Sequence, residues 1–325
     1  MASGPMPFEA FMAEALYGLG GFYTSGGRAG RRGDFLTSPE VGPLFGAVIA
    51  RFLDAEWRRL GRPDTLVVHE VGAGPGTLAR TVLAAEPDCR DALDYVAVEL
   101  SGSQRGSHPE GIRSRGELPD GRLEGVVLMN ELLDNLPFRL AVHDGAWREA
   151  FVDAQGDEVL SAPFDPVPAV LPADAALGAR APLVDRAATF LSDTIERLNG
   201  VLVAIDYFAP TTAGLASRPW REWLRTYAGH ERGRHYLSEP GSQDITCEVP
   251  LDQLPEPEAL RTQAQWLELH GITGLVDEGR RFWEEHASAP DLTALRMRSR
   301  ISEAEALTDP SGLGAFLVAE WRGRA

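Results

Sequence analysis

Three glycines at alternate positions, Gly72, Gly74 and Gly76, stand in HEVGAGPGTLAR (69–80), between the apolar run LVVHEV (66–71) and a stretch of helical periodicity. Such a bend uses backbone conformations that residues with a Cβ avoid, and it joins a buried strand to a helix. That junction constrains the chain to an α/β layout with the loop at the carboxyl end of a strand, where open parallel sheets bind ligands. DYVAVEL (94–100), GVVLMNELLDNLP (125–137), GVLVAIDYF (200–208) and FLVAEWR (316–322) read as further strands, and GTLARTVLAAE (76–86) as a helix. Residues 6–60 read as helical, with Phe8, Phe11, Met12 and Ala15 at helical spacing and LFGAVIARFLDAEWRRL (44–60) as a longer amphipathic helix. A mostly parallel sheet covered on both faces is expected.

The expected division is an N-terminal helical or lid region over 1–60, a ligand-binding core over 61–137 and 199–325, and an insertion over 138–198. Inside the insertion, 138–152 alternates as a hairpin, and 161–182 carries prolines at 163, 166, 168, 172 and 182 and reads as an irregular excursion before a helix. RPWREWLR (218–225) reads as a helix with Trp220, Trp223 and Leu224 packed inward.

The glycine spacing decides between ligands. A dinucleotide loop needs G-x-G-x-x-G, and position 77 is Thr; a phosphate-binding P-loop needs Gly-Lys-Ser/Thr, and all 31 basic residues are arginine. What remains is a glycine loop with Glu70 at the end of one strand and Glu99 at the end of the next. Glu99 would accept from both hydroxyls of a ribose, the glycines would admit close backbone approach, and Glu70 would face an ammonium or sulfonium charge. S-adenosylmethionine meets all three conditions, whereas NAD meets an unhelpful carboxylate at the third.

A net charge of -17 would repel a phosphate backbone, so nucleic acid is not an expected partner. No window reaches the roughly 18 continuous apolar residues of a membrane span. The N-terminus shows no basic stretch followed by an apolar one, so no signal peptide is expected. Cys89 and Cys247 read as reduced thiols of a cytoplasmic protein, and seven histidines show no ligand spacing, so no metal site is expected. A homodimer is compatible with the sequence, which sets no oligomeric state.

RGDFLTSPEVGPLFG (32–46), HEVGAGPGTLA (69–79), MNELLDNLP (129–137), LVAIDYF (202–208) and LRTY…H…PGSQDIT (224–246) occur in one order. That series resembles the MidA-type methyltransferases, relatives of a mitochondrial complex I assembly factor that methylates protein arginine. The resemblance implies a class I, seven-stranded, Rossmann-like methyltransferase fold that binds S-adenosylmethionine. The chain departs from the family pattern at Phe208, at Asn135 and in the proline-rich 161–182.

Methyl transfer from a sulfonium is an in-line displacement, so the protein mainly positions its reactants. Asn130, Glu131 and Asp134 should lie on the carboxyl rim of the sheet. Glu131 is the substrate-orienting carboxylate, Asn130 shapes the wall facing the cofactor, and Asp134 reads as a cap for the following turn. Asp206 stands on the same rim and either bonds substrate or fixes a loop. The resemblance implies a base role for His230, against a plain surface histidine. It also implies that GDFLTSPE folds over the cofactor as a lid, bringing Asp34 and Thr37 to the ligand; a helix cap explains Thr37 or Ser38 equally. Three readings share the fold: a methyltransferase for a protein side chain such as arginine, a small-molecule methyltransferase, or a non-catalytic assembly factor. An NAD-dependent oxidoreductase is disfavoured by the spacing.

Overall fold

A computed structural model describes residues 4–25, 37–229 and 231–324. The apolar runs pair into one sheet of seven strands, β1 (Leu66–Val71), β2 (Leu93–Val98), β3 (Arg113–Arg115), β4 (Leu123–Asn130), β5 (Leu198–Asp206), β6 (Ala259–Thr262) and β7 (Leu317–Arg324). Their order across the sheet is β6-β7-β5-β4-β1-β2-β3. Strands β1 to β5 run parallel, and β7 runs antiparallel to both β5 and β6. The register brings Val71, Val98 and Met129 level, with Asn130 opposite Ile205. Glu70, Glu99, Glu131 and Asp206 therefore meet along one rim.

The central strands read as unbroken apolar runs because helices or a second layer cover both faces. Seven helices of seven or more residues are described: α1 (Phe8–Tyr17), α2 (Pro43–Arg59), α3 (Thr77–Ala84), α4 (Asp185–Arg197), α5 (Gln263–Leu269), α6 (Ile272–His286) and α7 (Leu292–Thr308). On one face, side chains of α2, α3, α5 and α6 pack with Val68, Val126 and Val203; Phe45, Phe52 and Trp266 are wholly buried there. On the other, α1 and α4 pack with Val71, Val127 and Leu202. Each large buried side chain contributes on the order of 1.5–3 kcal/mol of transfer free energy.

The insertion forms a second sheet. Arg139–His143 pairs with Trp147–Val152 and with Arg180–Leu183, and Glu158–Pro163 adds an edge. Met6–Pro7 joins the same sheet opposite Val152 and Phe151, so the residues leading into α1 are anchored to the insertion. Cys89 and Cys247 are buried and unpaired.

The helix expected over 218–225 does not form. Trp220–Glu222 is a single 3-10 turn, and Leu224–Ala228 is a strand paired with Asp244–Cys247. The backbone of 224–227 is taken up by its ladder with Asp244–Cys247, and Arg218 and Arg225 both reach the carboxylate of Glu248, which follows that strand. Trp223 and Leu224 are buried as expected, and Trp220 is half-buried.

Candidate active site

At the carboxyl end of β1 the chain turns through Gly72 at φ +74°, Gly74 at +53° and Gly76 at +76° before entering α3. The positive φ at Gly72 favours glycine, and a Cβ there would also crowd Leu132 Cδ1 at 3.0 Å. Gly76 is the N-cap of α3 and has no side chain to satisfy the helix's first N–H groups. Glu70 supplies that partner from the preceding strand, accepting from the Ala79 backbone N–H as well as from the Tyr95 hydroxyl at 2.8 Å. Burial pushes the Glu70 carboxyl up to about 8.

Glu99 follows β2 and stays half-exposed. One carboxylate oxygen accepts from the Gly74 N–H at 2.9 Å and the other from the Ser101 N–H at 2.8 Å. Each oxygen is thereby aimed while keeping a second lone pair for a ligand.

After β4, Glu131 has φ +51°, a strained conformation for a residue with a side chain. Its N–H bonds to the Ile205 carbonyl at 2.8 Å, prolonging the β4–β5 ladder past Asn130. Asn130 Nδ2 donates to Glu131 Oε1 at 3.1 Å, while Asn130 Oδ1 has no hydrogen-bond partner among the described residues. The Ser38 backbone N–H also donates to the Glu131 carboxyl, which burial and the field of Asp134 push up to about 8.

Glu70, Gly72, Gly74, Glu99, Asn130, Glu131 and Thr37 line one cavity of about 510 Å³, within the range of small-ligand sites. Gly76 shapes the loop from just outside it. Glu40 and Glu117 add to an acidic lining, and the lining arginine, Arg186, is paired with Glu9. A phosphate would find little welcome in this lining, which suits a nucleoside without phosphate.

Asp206 is 0% exposed and does not line the cavity. Its carboxylate accepts from the N–H groups of Leu132 at 3.2 Å, Leu133 at 2.8 Å and Tyr207 at 2.8 Å, which is the loop-fixing arrangement. Asp134 accepts from the Thr246 hydroxyl, so it ties the turn Leu133–Asn135 to the strand Asp244–Cys247; it lies inside that turn, whose N-cap position is held by Leu132. Thr37 occupies the N-cap position of the short turn Ser38–Val41 without a capping bond from its side chain, and Ser38 Oγ donates to Gln263 Oε1 at 2.8 Å. Asp34, with the rest of residues 26–36, and His230 lie outside the described residues.

The sequence reading missed Tyr17, Tyr23, Asn135 and Phe190 among the cavity's walls. The two tyrosines carried no motif signal, since Tyr17 simply ends an amphipathic helix. Asn135 did carry one, as a departure from the family pattern.

The buried acids make stability depend on pH. Glu70 and Glu131 sit at about 8, Asp244 at about 7 and Asp134 at about 6, each raised chiefly by burial. Between the unfolded carboxylate range and about pH 8 the folded state therefore holds more protons than the unfolded one. Their contribution is full below the unfolded values and is lost as pH rises through the folded ones. The ligand-free protein is expected to melt roughly 5 °C lower near pH 8.5 than near pH 5.5. Thermal unfolding across that range checks this, and a melting point rising toward alkaline pH contradicts it.

Among the described residues no group of three or more His, Cys, Asp and Glu could hold a metal ion, and no helix is long and apolar enough to cross a membrane. A family described as "Putative S-adenosyl-L-methionine-dependent methyltransferase" matches residues 48–273. The Drosophila melanogaster protein named protein arginine methyltransferase NDUFAF7 homolog, mitochondrial, is 31% identical over 77% of this chain and 65% of its own length. The Mus musculus protein arginine methyltransferase NDUFAF7, mitochondrial, is 23% identical over 78% of this chain and 66% of its own. The chain thus spans about two thirds of the length of these relatives. A Burkholderia thailandensis protein crystallised with S-adenosyl-homocysteine superposes with a TM-score of 0.79 at 28% identity, covering 98% of this chain and 88% of that one.

Proposed function

We propose, from the premise that the chain belongs to the S-adenosyl-L-methionine-dependent methyltransferase family matched over residues 48–273, that it transfers a methyl group to a nitrogen of a protein side chain, with arginine the favoured acceptor. The observation that carries this reading is the conjunction of a pre-aimed Glu99 and the Asn130–Glu131 corner in one acid-lined cavity. The arginine acceptor is supported by the names of the relatives and by the charge of that lining.

When bound, S-adenosylmethionine supplies an electrophilic methyl on a sulfonium. Glu99 holds the ribose hydroxyls, and the glycine loop lets backbone N–H groups approach the ligand without a Cβ between. Asn130 Oδ1 and the Glu131 carboxyl present two acceptors to a planar donor such as a guanidinium. In its ionised form Glu131 can take up the proton that the attacking nitrogen must release, and because burial pushes the carboxyl up to about 8, that form grows as pH rises toward 8. Asp206 keeps the loop that carries Glu131 in place.

Two measurements test the reading. Titration with S-adenosylhomocysteine should show saturable binding, and radiolabelled S-adenosylmethionine with a cell lysate should label protein. Label confined to small molecules would favour the small-molecule reading, and binding without any transfer would favour an assembly factor. Glu99→Ala is expected to weaken S-adenosylhomocysteine roughly 100-fold, the loss of two charge-assisted hydrogen bonds. Calorimetry reads this directly, and an unchanged Kd would remove Glu99 from the site.

A further inference from the structure

A ligand that carries a sulfonium needs its charge met, and the acids beside the glycine loop are poorly suited to meeting it. Burial holds both Glu70 and Glu131 largely protonated at pH 7, and Glu70 is already engaged by Tyr95 and Ala79. A trialkylsulfonium has no N–H or O–H to donate, so a hydrogen-bonding carboxyl offers it nothing directional. The face of an aromatic ring does attract such a cation.

Tyr17, the last residue of α1, and Tyr23, in the turn beyond it, line the same cavity as the glycine loop, Glu99 and Glu131. Their rings stack, with centroids 5.6 Å apart and planes 14° from parallel. Both hydroxyls bond to protein partners. Tyr17 donates to the Asn135 backbone carbonyl at 3.1 Å, and the Tyr23 hydroxyl lies 3.0 Å from Asn135 Oδ1 and 3.1 Å from Asp244 Oδ1. Asn135 Nδ2 in turn donates to Asp244 Oδ1 at 3.0 Å and to the Ile245 carbonyl at 3.2 Å. The rings are thus oriented by residues 112 and 118 positions away, and what the pair has left to offer the cavity is π surface. Asn135 belongs to the turn that follows Glu131, so one brace fixes the aromatic wall against the corner where the acceptor is held.

We propose that the Tyr17–Tyr23 stack recognises the sulfonium charge, with Tyr17 the ring that touches the ligand and Asn135 the positioning residue that holds it. This rests on the reading that the cavity takes S-adenosylmethionine. The consequence is a preference for the charged ligand over the neutral S-adenosylhomocysteine, so that the hold on the cofactor weakens once the methyl has left.

The test is calorimetric titration of the full chain with each of the two ligands, near pH 6 and near pH 8.5. The wild type is expected to bind S-adenosylmethionine about tenfold more tightly at both pH values. Tyr17→Leu should bring that ratio to about one while changing the S-adenosylhomocysteine Kd less than about threefold; Tyr17→Phe, which keeps the ring, should preserve the ratio. A wild-type ratio near one, a ratio that vanishes near pH 6 (pointing to ionised Glu131 instead), or a Tyr17→Leu variant that keeps the ratio would overturn the proposal. The wild-type comparison decides even if the Leu variant does not fold. Failure of both ligands to bind removes the cofactor reading and this inference with it, whereas tight S-adenosylhomocysteine binding without a charge preference removes this inference alone.

Discussion

Replacing Glu131 by Gln is expected to lower methyl transfer by about 10²- to 10³-fold while leaving S-adenosylhomocysteine affinity within about threefold. Glutamine keeps the size of the side chain and can still accept from Asn130 Nδ2 and the Ser38 N–H, so the corner should stay assembled. What disappears is the ability to take up a proton and to carry a charge opposite a cationic acceptor. The wild-type carboxyl, pushed up to about 8 by burial, does this in its ionised fraction, so wild-type transfer should rise with pH toward 8 and the variant should lose that rise. The same substitution should flatten part of the fall in melting temperature toward alkaline pH, because Gln has no proton to lose. Transfer of radiolabel from the cofactor to its acceptor gives the rate, and calorimetry gives the affinity. A variant with wild-type turnover would leave Glu131 as a purely structural residue and favour a different base.

Gly200→Ala should damage the protein more than any substitution in the cavity, destabilising it by about 4 kcal/mol and lowering its melting temperature by roughly 10 °C. Gly200 in β5 faces Gly125 in β4 on one side and Gly323 in β7 on the other, a row of three glycines across adjacent strands near the end of the sheet away from the cavity. A Cβ on Gly200 would lie 1.8 Å from the Gly125 carbonyl oxygen, and one on Gly125 would lie 2.3 Å from that of Val67. Backbone cannot swing aside as a side chain can, so the strands would have to part. The β4–β5 ladder that carries Asn130 to the rim would part with them. Gly145→Ala in the hairpin turn is the control: its φ of +75° is equally unusual, but nothing lies within 4 Å of its Cβ position. That change should cost only about 1 kcal/mol. Equal melting temperatures for the two variants would mean that the central strands are less tightly registered than they look.

Much of the core could be read along the chain. Each central strand is a run of apolar residues with both faces buried, and the glycine loop marks the ligand end of the first. The strands at the sheet's two margins could not be read this way. Arg113–Arg115 is exposed at all three positions and Ala259–Thr262 is half polar, since a margin strand needs only hydrogen bonds to one neighbour and no apolar run. The stretch 218–225 misled for a related reason: tryptophans at helical spacing suit a helix, but backbone pairing with the distant strand Asp244–Cys247 holds its end extended.

The sequence by itself determined which segments form the central strands, that the backbone bends sharply at Gly72–Gly76, and that acids stand at the strand tips. These are consequences of periodicity and of steric demands among chain neighbours. Tertiary structure decided which of those acids face a ligand. Asp206 points into the protein to hold a loop, Glu70 lines the cavity with its carboxyl engaged by its own protein partners, and Glu99 and Glu131 stand there with Tyr17 of the N-terminal helix and Tyr23 of the turn beyond it. A cavity is formed by residues that meet only after folding, here across separations of 100 residues and more, and no local pattern encodes such a meeting.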